Sequence, residues 1–253
     1  MEYNLNNEIA KRSTKSVYED NGKTIKLFVE NYSKADILNE ALNQARVEEG
    51  TDLNIPKLIE VRKINNRWAL VSEYIEGTPL NELMKQNPEK EDEYLNLFVD
   101  TQLNILSHTV PLLTRMKDKF KRKINEFKDL NENSRYELLE RLEGMKNHTK
   151  LCHGDFNPSN VIVKEDGTVF VIDWSHVTQG NASGDAARTY LLFSMEGKTE
   201  LANKYLELFA TKSGISKTNI QRWIPIVATT QMSKGNENEK EFLSKWIDVV
   251  DYE

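Results

Sequence analysis

Three residues draw attention for what their side chains could do together: Asp155, Asn160 five positions later, and Asp173 eighteen positions after Asp155. They lie in Leu151-Cys152-His153-Gly154-Asp155-Phe156-Asn157-Pro158-Ser159-Asn160, which runs into Val161-Ile162-Val163, and in Val171-Ile172-Asp173-Trp174. A carboxylate can take a proton from a hydroxyl, and carboxylate and amide oxygens are the hard donors that a small divalent cation prefers. Singly, Asp and Asn turn loops as readily as they do chemistry. Their joint spacing separates the two readings. Cys152 and His153 add no zinc site. Adjacent residues cannot converge with Asp155 on one tetrahedral ion without distortion, and His108, His148 and His176 lie at no ligand spacing.

The elements that must hold these groups can be read around them. Strand-like runs at 161–163 and 169–172 flank Asp166-Gly167, a pair suited to a tight turn, so Asn160 and Asp173 are expected at adjoining ends of a hairpin. Earlier in the chain, runs at 16–19 and 24–28 flank Asn21-Gly22, and runs at 57–63 and 68–75 join near Asn65-Asn66. Between them Ile37, Leu38, Ala41, Leu42 and Ala45 recur at helical spacing over 34–49 after a Ser33 cap. Gly77-Thr78-Pro79 breaks the pattern. Beyond it the periodicity is helical, with Leu95, Phe98, Val99, Leu103 and Leu106 in one segment and Met116, Phe120, Ile124 and Phe127 in another. The expected fold class is α+β, with a small β-rich N-terminal lobe over 1–75 and a larger α-helical C-terminal lobe over 76–253.

HGDxxxxN, a hairpin and IDW in that order resemble the aminoglycoside phosphotransferase and choline kinase family, the small-molecule branch of the protein-kinase-like fold. Both spacings equal those of the HRDxxxxN and DFG motifs of protein kinases. The resemblance implies a two-lobe fold in which 1–75 binds nucleotide and 76–253 carries the catalytic loop and acceptor site. It implies transfer of the γ-phosphoryl group of ATP or GTP, with Mg²⁺, to a hydroxyl of an aminoglycoside, amino alcohol or sugar. An alcohol is a poor nucleophile and the phosphoryl group is negatively charged, so a base and a metal are both needed. In that scheme Asp155 is the base, Asn160 and Asp173 hold Mg²⁺, Lys26 reaches the phosphates and Glu40 is its partner. His153 braces the loop.

Several features bear on that scheme. Lys11-Arg12-Ser13-Thr14-Lys15-Ser16 contains no glycine where protein kinases place GxGxxG, so Ser13, Thr14 and Ser16 would offer hydroxyls and amide N–H groups to phosphate. Ser72-Glu73-Tyr74-Ile75-Glu76-Gly77 resembles the inter-lobe hinge, with the backbone at Glu73 and Ile75 meeting the purine. Asp185 follows a Gly/Asn/Ser loop and reads as a helix cap; the resemblance makes it an aspartate that ties the catalytic loop to the core. It lies twelve positions after Asp173, too few for a phosphorylatable activation segment, and Asp173-Trp174-Ser175 replaces DFG. Both favour a small acceptor over a protein. Asn157 stands where many relatives carry His. The alternatives are a protein kinase and a nucleotide-binding module of the same fold without turnover. The presence of Asp155, Asn160 and Asp173 together argues against the second.

Composition narrows the remaining classes. The 253 residues are 38% hydrophobic and 29% charged, too apolar for a disordered chain and too polar for a membrane one. No secretory leader or membrane span is read, so a cytoplasmic location is expected. A single cysteine rules out an internal disulfide. The net charge of -6 argues against nucleic acid as a partner. The basic run 117–123 contains Phe120 on an apolar face and is expected as a solvated surface. Asp248, Asp251 and Glu253 read as a solvated acidic tail.

Overall fold

Two-residue turns set the first sheet. Asn21 and Gly22 take φ of 50° and 74°, and Asn65 and Asn66 take 49° and 62°, so both hairpins close with a twist that matches their strands. The structure, a computed structural model, describes residues 3–247; Asp248, Asp251 and Glu253 lie outside the described residues. In chain order it forms β1 (Glu8–Lys11), β2 (Lys15–Asp20), β3 (Lys23–Phe28), α1 (Lys34–Gly50), β4 (Leu58–Ile64), β5 (Arg67–Glu73), β6 (Thr78–Pro79) and α2 (Leu80–Gln86). Then come α3 (Glu91–Ser107), α4 (Met116–Glu126), α5 (Glu132–Gly144), β7 (Lys150–Cys152), β8 (Val161–Val163), β9 (Val169–Val171) and β10 (Thr178–Gly180). The chain continues through α6 (Ala182–Met195), α7 (Thr199–Ser213), α8 (Lys217–Gln221), α9 (Ile224–Met232) and α10 (Glu237–Ile247). The fold is α+β, with a five-stranded antiparallel sheet near the N-terminus and a larger helical part. Two compact units emerge, residues up to 86 with 158–176, and residues 87–157 with those from 177 on.

In the first unit the strands run in the order β1-β2-β3-β5-β4. Alternation along β3 sends Ile25 and Leu27 to one face, where they pack with Ala69 and Val71. Phe28 goes to the other, with Ile37 and Ala41 of α1 and with Leu70. Burying each of these large side chains contributes about 1.5–3 kcal/mol. Lys26 shares the parity of Phe28, so the strand turns its amine toward α1. Ser33 caps that helix by accepting a hydrogen bond from the Asp36 N–H. The hairpin β8-β9 pairs with β6 in a second small sheet.

The second unit is built around aromatic rings. Phe98 of α3 stacks on Phe156 at 4.4 Å between centroids and meets Phe193 and Tyr205 edge-on at 5.7 and 6.0 Å. The buried Gln102 amide donates to Asp185 and Thr189 and accepts from the Tyr205 hydroxyl at 2.7 Å, which satisfies a polar group in that core. Glycines set one helix contact. A Cβ on Gly184 of α6 would lie 2.7 Å from the Met116 sulfur of α4. No helix among the described residues is long and apolar enough to cross a membrane.

Candidate active site

The first unit gathers Lys26, Glu40 and Asp173. Lys26 Nζ donates to Glu40 Oε1 at 2.8 Å and to Asp173 Oδ1 at 3.0 Å. Glu40 is buried, because α1 turns that side toward the lysine. Asp173 adopts φ of 63°, a left-handed conformation that Asp tolerates better than most residues. The next residue, Trp174, is buried and donates from its indole to the Val171 carbonyl at 3.0 Å, which pins the turn. The hairpin also brings Asn160 alongside, since its carbonyl accepts the Ile172 N–H at 2.9 Å. Asn160 is buried.

Electrostatics in this group follow from burial opposed by charge. Loss of solvent disfavours the ammonium of Lys26, but Asp173 and Glu40 outweigh it and raise its pKa well above the usual lysine value. Burial likewise disfavours ionised Asp173, yet Lys26 and then Lys15 hold its carboxyl far below the ordinary carboxylate range. Lys15 was missed in the sequence reading. Its Nζ lies 3.5 Å from Asp173 Oδ2 and 3.8 Å from Glu40 Oε1. The signal was present in the register, since Lys15 pairs with Phe28 and Val17 with Lys26, which puts both lysines on one face. Ser13 and Thr14 sit exposed between β1 and β2, where the Thr14 carbonyl accepts the Val29 N–H, whereas Ser16 is buried within β2. β5 ends at Glu73, two residues short of the expected strand, and leaves Ile75 half-buried beyond it.

In the second unit the loop around Asp155 is held from several sides. His153 is fully buried, and its Nδ1 lies 3.3 Å from the Asp155 N–H. The Asn157 amide donates to the Asp155 carbonyl at 2.9 Å. Thr189 donates to the Phe156 carbonyl at 2.8 Å, and the Phe98 stack anchors the same residue. Asp185 does not cap its helix; Asn181 does, through the Ser183 N–H. Asp185 instead accepts the Gly154 N–H at 2.7 Å from inside α6, which suits an aspartate tying this loop to the core. Burial pushes its carboxyl up, against the pull of the Gln102 and Gly154 hydrogen bonds.

Asp155 is also surrounded by cations that the sequence reading did not single out. Arg188 Nη2 donates to Asp155 Oδ1 at 3.1 Å and is itself buried. Within the run 117–123, Phe120 packs against Trp223, and Lys117 donates to the Glu143 and Met145 carbonyls. Lys119 is half-buried, so the run is not the purely solvated surface expected of it. Burial, then Lys234 and Arg188, push Lys119 down to about 8, with Asp155 acting the other way. Lys234 keeps an exposed side chain, but surrounding protein and then Arg188 bring it down to about 8 against Asp155 and Glu239.

A folded-state value below that of the unfolded lysine costs stability wherever both states are protonated. The penalty is complete below pH 8 and fades as pH climbs toward 10.5. Lys119→Met should therefore stabilise the protein at pH 7 by about 1 kcal/mol, after allowing for solvent screening. Urea unfolding across pH 7–10 should show that gain shrinking; a gain that grows with pH would contradict the assignment.

Comparison with known proteins fits this arrangement. The family model described as "Phosphotransferase enzyme family" matches residues 26–217. No curated protein matches the sequence. Among solved structures, a ternary complex of a thermostable mutant of aminoglycoside phosphotransferase APH(4)-Ia with AMP-PNP and hygromycin B is similar with a TM-score of 0.73. It shares 14% identity over 95% of this chain and 91% of that one. Aminoglycoside-3'-phosphotransferase of type VIII gives 0.63 at 17% identity, over 90% and 93%. The GDP complex of aminoglycoside 2'-phosphotransferase-IIIa gives 0.62 at 13% identity, over 98% and 92%. At these identities the likeness carries the fold.

Proposed function

Because the chain belongs to the phosphotransferase enzyme family, we propose that it transfers the γ-phosphoryl group of a purine nucleoside triphosphate to a hydroxyl of a small molecule. The observation that carries this reading is the Lys26–Glu40–Asp173 group, a lysine held charged beside a carboxylate that carries hard oxygen donors. In this reading 1–75 handle the nucleotide, with Ser13, Thr14 and Ser16 near its phosphates and the backbone at Glu73 and Ile75 at the base. The residues over 76–253 supply the catalytic loop and the acceptor site.

Asp155 takes the proton of the acceptor hydroxyl as its oxygen bonds to the γ-phosphorus and the bond to the β–γ bridging oxygen breaks, leaving a nucleoside diphosphate. Arg188 and the loop contacts keep that carboxylate in one orientation. Lys26, oriented by Glu40, binds the phosphates. The donor chemistry fits magnesium. Among the described residues no three His, Cys, Asp or Glu side chains gather as a metal site, and Mg²⁺ needs only one or two protein oxygens when phosphates and water complete its shell. The Asp173 carboxylate and the Asn160 amide oxygen would hold it. Bound there, the ion would neutralise charge on the phosphate oxygens.

The similar solved structures hold AMP-PNP in one case and GDP in another, so the test uses ATP and GTP in parallel. Diphosphate release measured against a broad panel of alcohols should depend on adding an acceptor. Tight nucleotide binding with no release for any alcohol would leave a binding module and overturn the kinase reading.

A further inference from the structure

The cations around Asp155 come from three helical elements of one unit. Arg188 lies on α6, Lys119 on α4 and Lys234 just beyond the end of α9. α9 packs against both α4 and α6. Met116 lies against Gly184, and Lys119 and Arg188 each stand about one turn further along those helices, on the same faces. Arg122 and Lys123 add positive charge from α4 but are paired with Glu126 at 4.0 and 3.8 Å, and Glu239 adds a further negative charge. Both oxygens of Glu239 are engaged by neutral amides, those of Gln231 at 2.5 Å and Asn236 at 2.6 Å. Cations therefore outnumber carboxylates beside the residue read as the general base.

Like charges gathered in this way repel and disfavour one another's ionised form. A ligand bringing negative charge would relieve that repulsion and gain charge-assisted hydrogen bonds from each ammonium. A polyamine would meet the opposite field.

Resting on the small-molecule kinase reading, we propose that the acceptor is an anion. It is a hydroxylated molecule bearing a carboxylate or a phosphate monoester, whose charge Lys119 and Lys234 bind, together with Arg188, while its hydroxyl faces Asp155.

The test uses acceptors matched in skeleton and differing in charge: glycerate, glycerol 3-phosphate, glycerol and serinol, then gluconate, glucose 6-phosphate, glucose and glucosamine. Diphosphate release by the full-length protein should favour the anionic members, and the acid and phosphate arms distinguish the two anion types. The double variant Lys119→Glu with Lys234→Glu should raise KM for the preferred anion by roughly 10²-fold or more, the worth of two charge-assisted contacts. Its nucleotide KM should change little. Preference for the neutral or amine members, or a variant effect confined to nucleotide KM, would overturn this inference and leave the kinase reading standing.

Absence of release from every acceptor would overturn the kinase reading. A second measurement then decides the anion site. With ADP and Mg²⁺ saturating, inorganic sulfate should raise the Tm of the wild-type protein more than that of the double variant, which keeps only the general salting-out gain. Equal shifts in both proteins would reject the site.

Discussion

Asparagine in place of Asp155 is expected to lower kcat/KM by roughly 10²- to 10⁴-fold, the contribution of a positioned general base. The nucleotide Kd should stay within a few-fold of wild type. The substitution keeps the size of the side chain and its contact with Arg188, which is itself buried, so unfolding curves can separate lost chemistry from lost structure. Asp155→Ala should lose as much activity and more stability, because it leaves a buried guanidinium without its carboxylate. Activity within a few-fold of wild type in the asparagine variant would remove Asp155 from the mechanism.

The second large effect is expected at Lys26. Lys26→Met keeps the apolar stem but leaves Glu40 and Asp173 without the ammonium that bridges them at 2.8 and 3.0 Å. Breaking a buried ion pair from one side costs about 3–5 kcal/mol. Lys15 still reaches both carboxylates at 3.8 and 3.5 Å, so the loss should fall near the lower figure. Nucleotide affinity should drop by about 10- to 100-fold, the worth of one hydrogen bond to a charged group. Titration calorimetry on the folded fraction reads the second effect, and urea unfolding the first. Unchanged nucleotide affinity alongside lowered stability would make Lys26 a purely structural residue.

What could be read from the sequence divides by distance along the chain. Short-range chemistry was plain: Asn21-Gly22, Asn65-Asn66 and Asp166-Gly167 each turn a hairpin, and Ser33 caps α1. The alternation of β3 sets Lys26 on the face opposite Ile25 and Leu27. Its contact with Asp173 spans 147 positions, and no local period encodes such a pairing. β1 escaped notice because Glu8–Lys11 is short and exposed and its pairing with β2 shifts register. Asp185 misled because an aspartate near a helix start is normally a cap, and here Asn181 had already taken that place. Arg188, Lys119 and Lys234 were unreadable for a related reason. Lys119 and Lys234 sit in polar stretches whose ordinary fate is solvent, Arg188 sits in the buried helix α6, and only the packing of α9 against α4 and α6 gathers them.

The contact of Met116 on α4 with β10 and α6 is set by atoms that are absent. A methyl group on Gly180 would stand 2.4 Å from the Met116 Cβ, which lies too near its own main chain to yield; one on Gly184 would also press within 3.0 Å of the Trp223 ring. These two bare positions, one on β10 and one on α6, thus act as calipers on Met116 and so on the helix of Lys119. The seat of Met116 is then governed by residues with no functional group of their own, and a single added carbon at either would force the helix that carries Lys119 to shift.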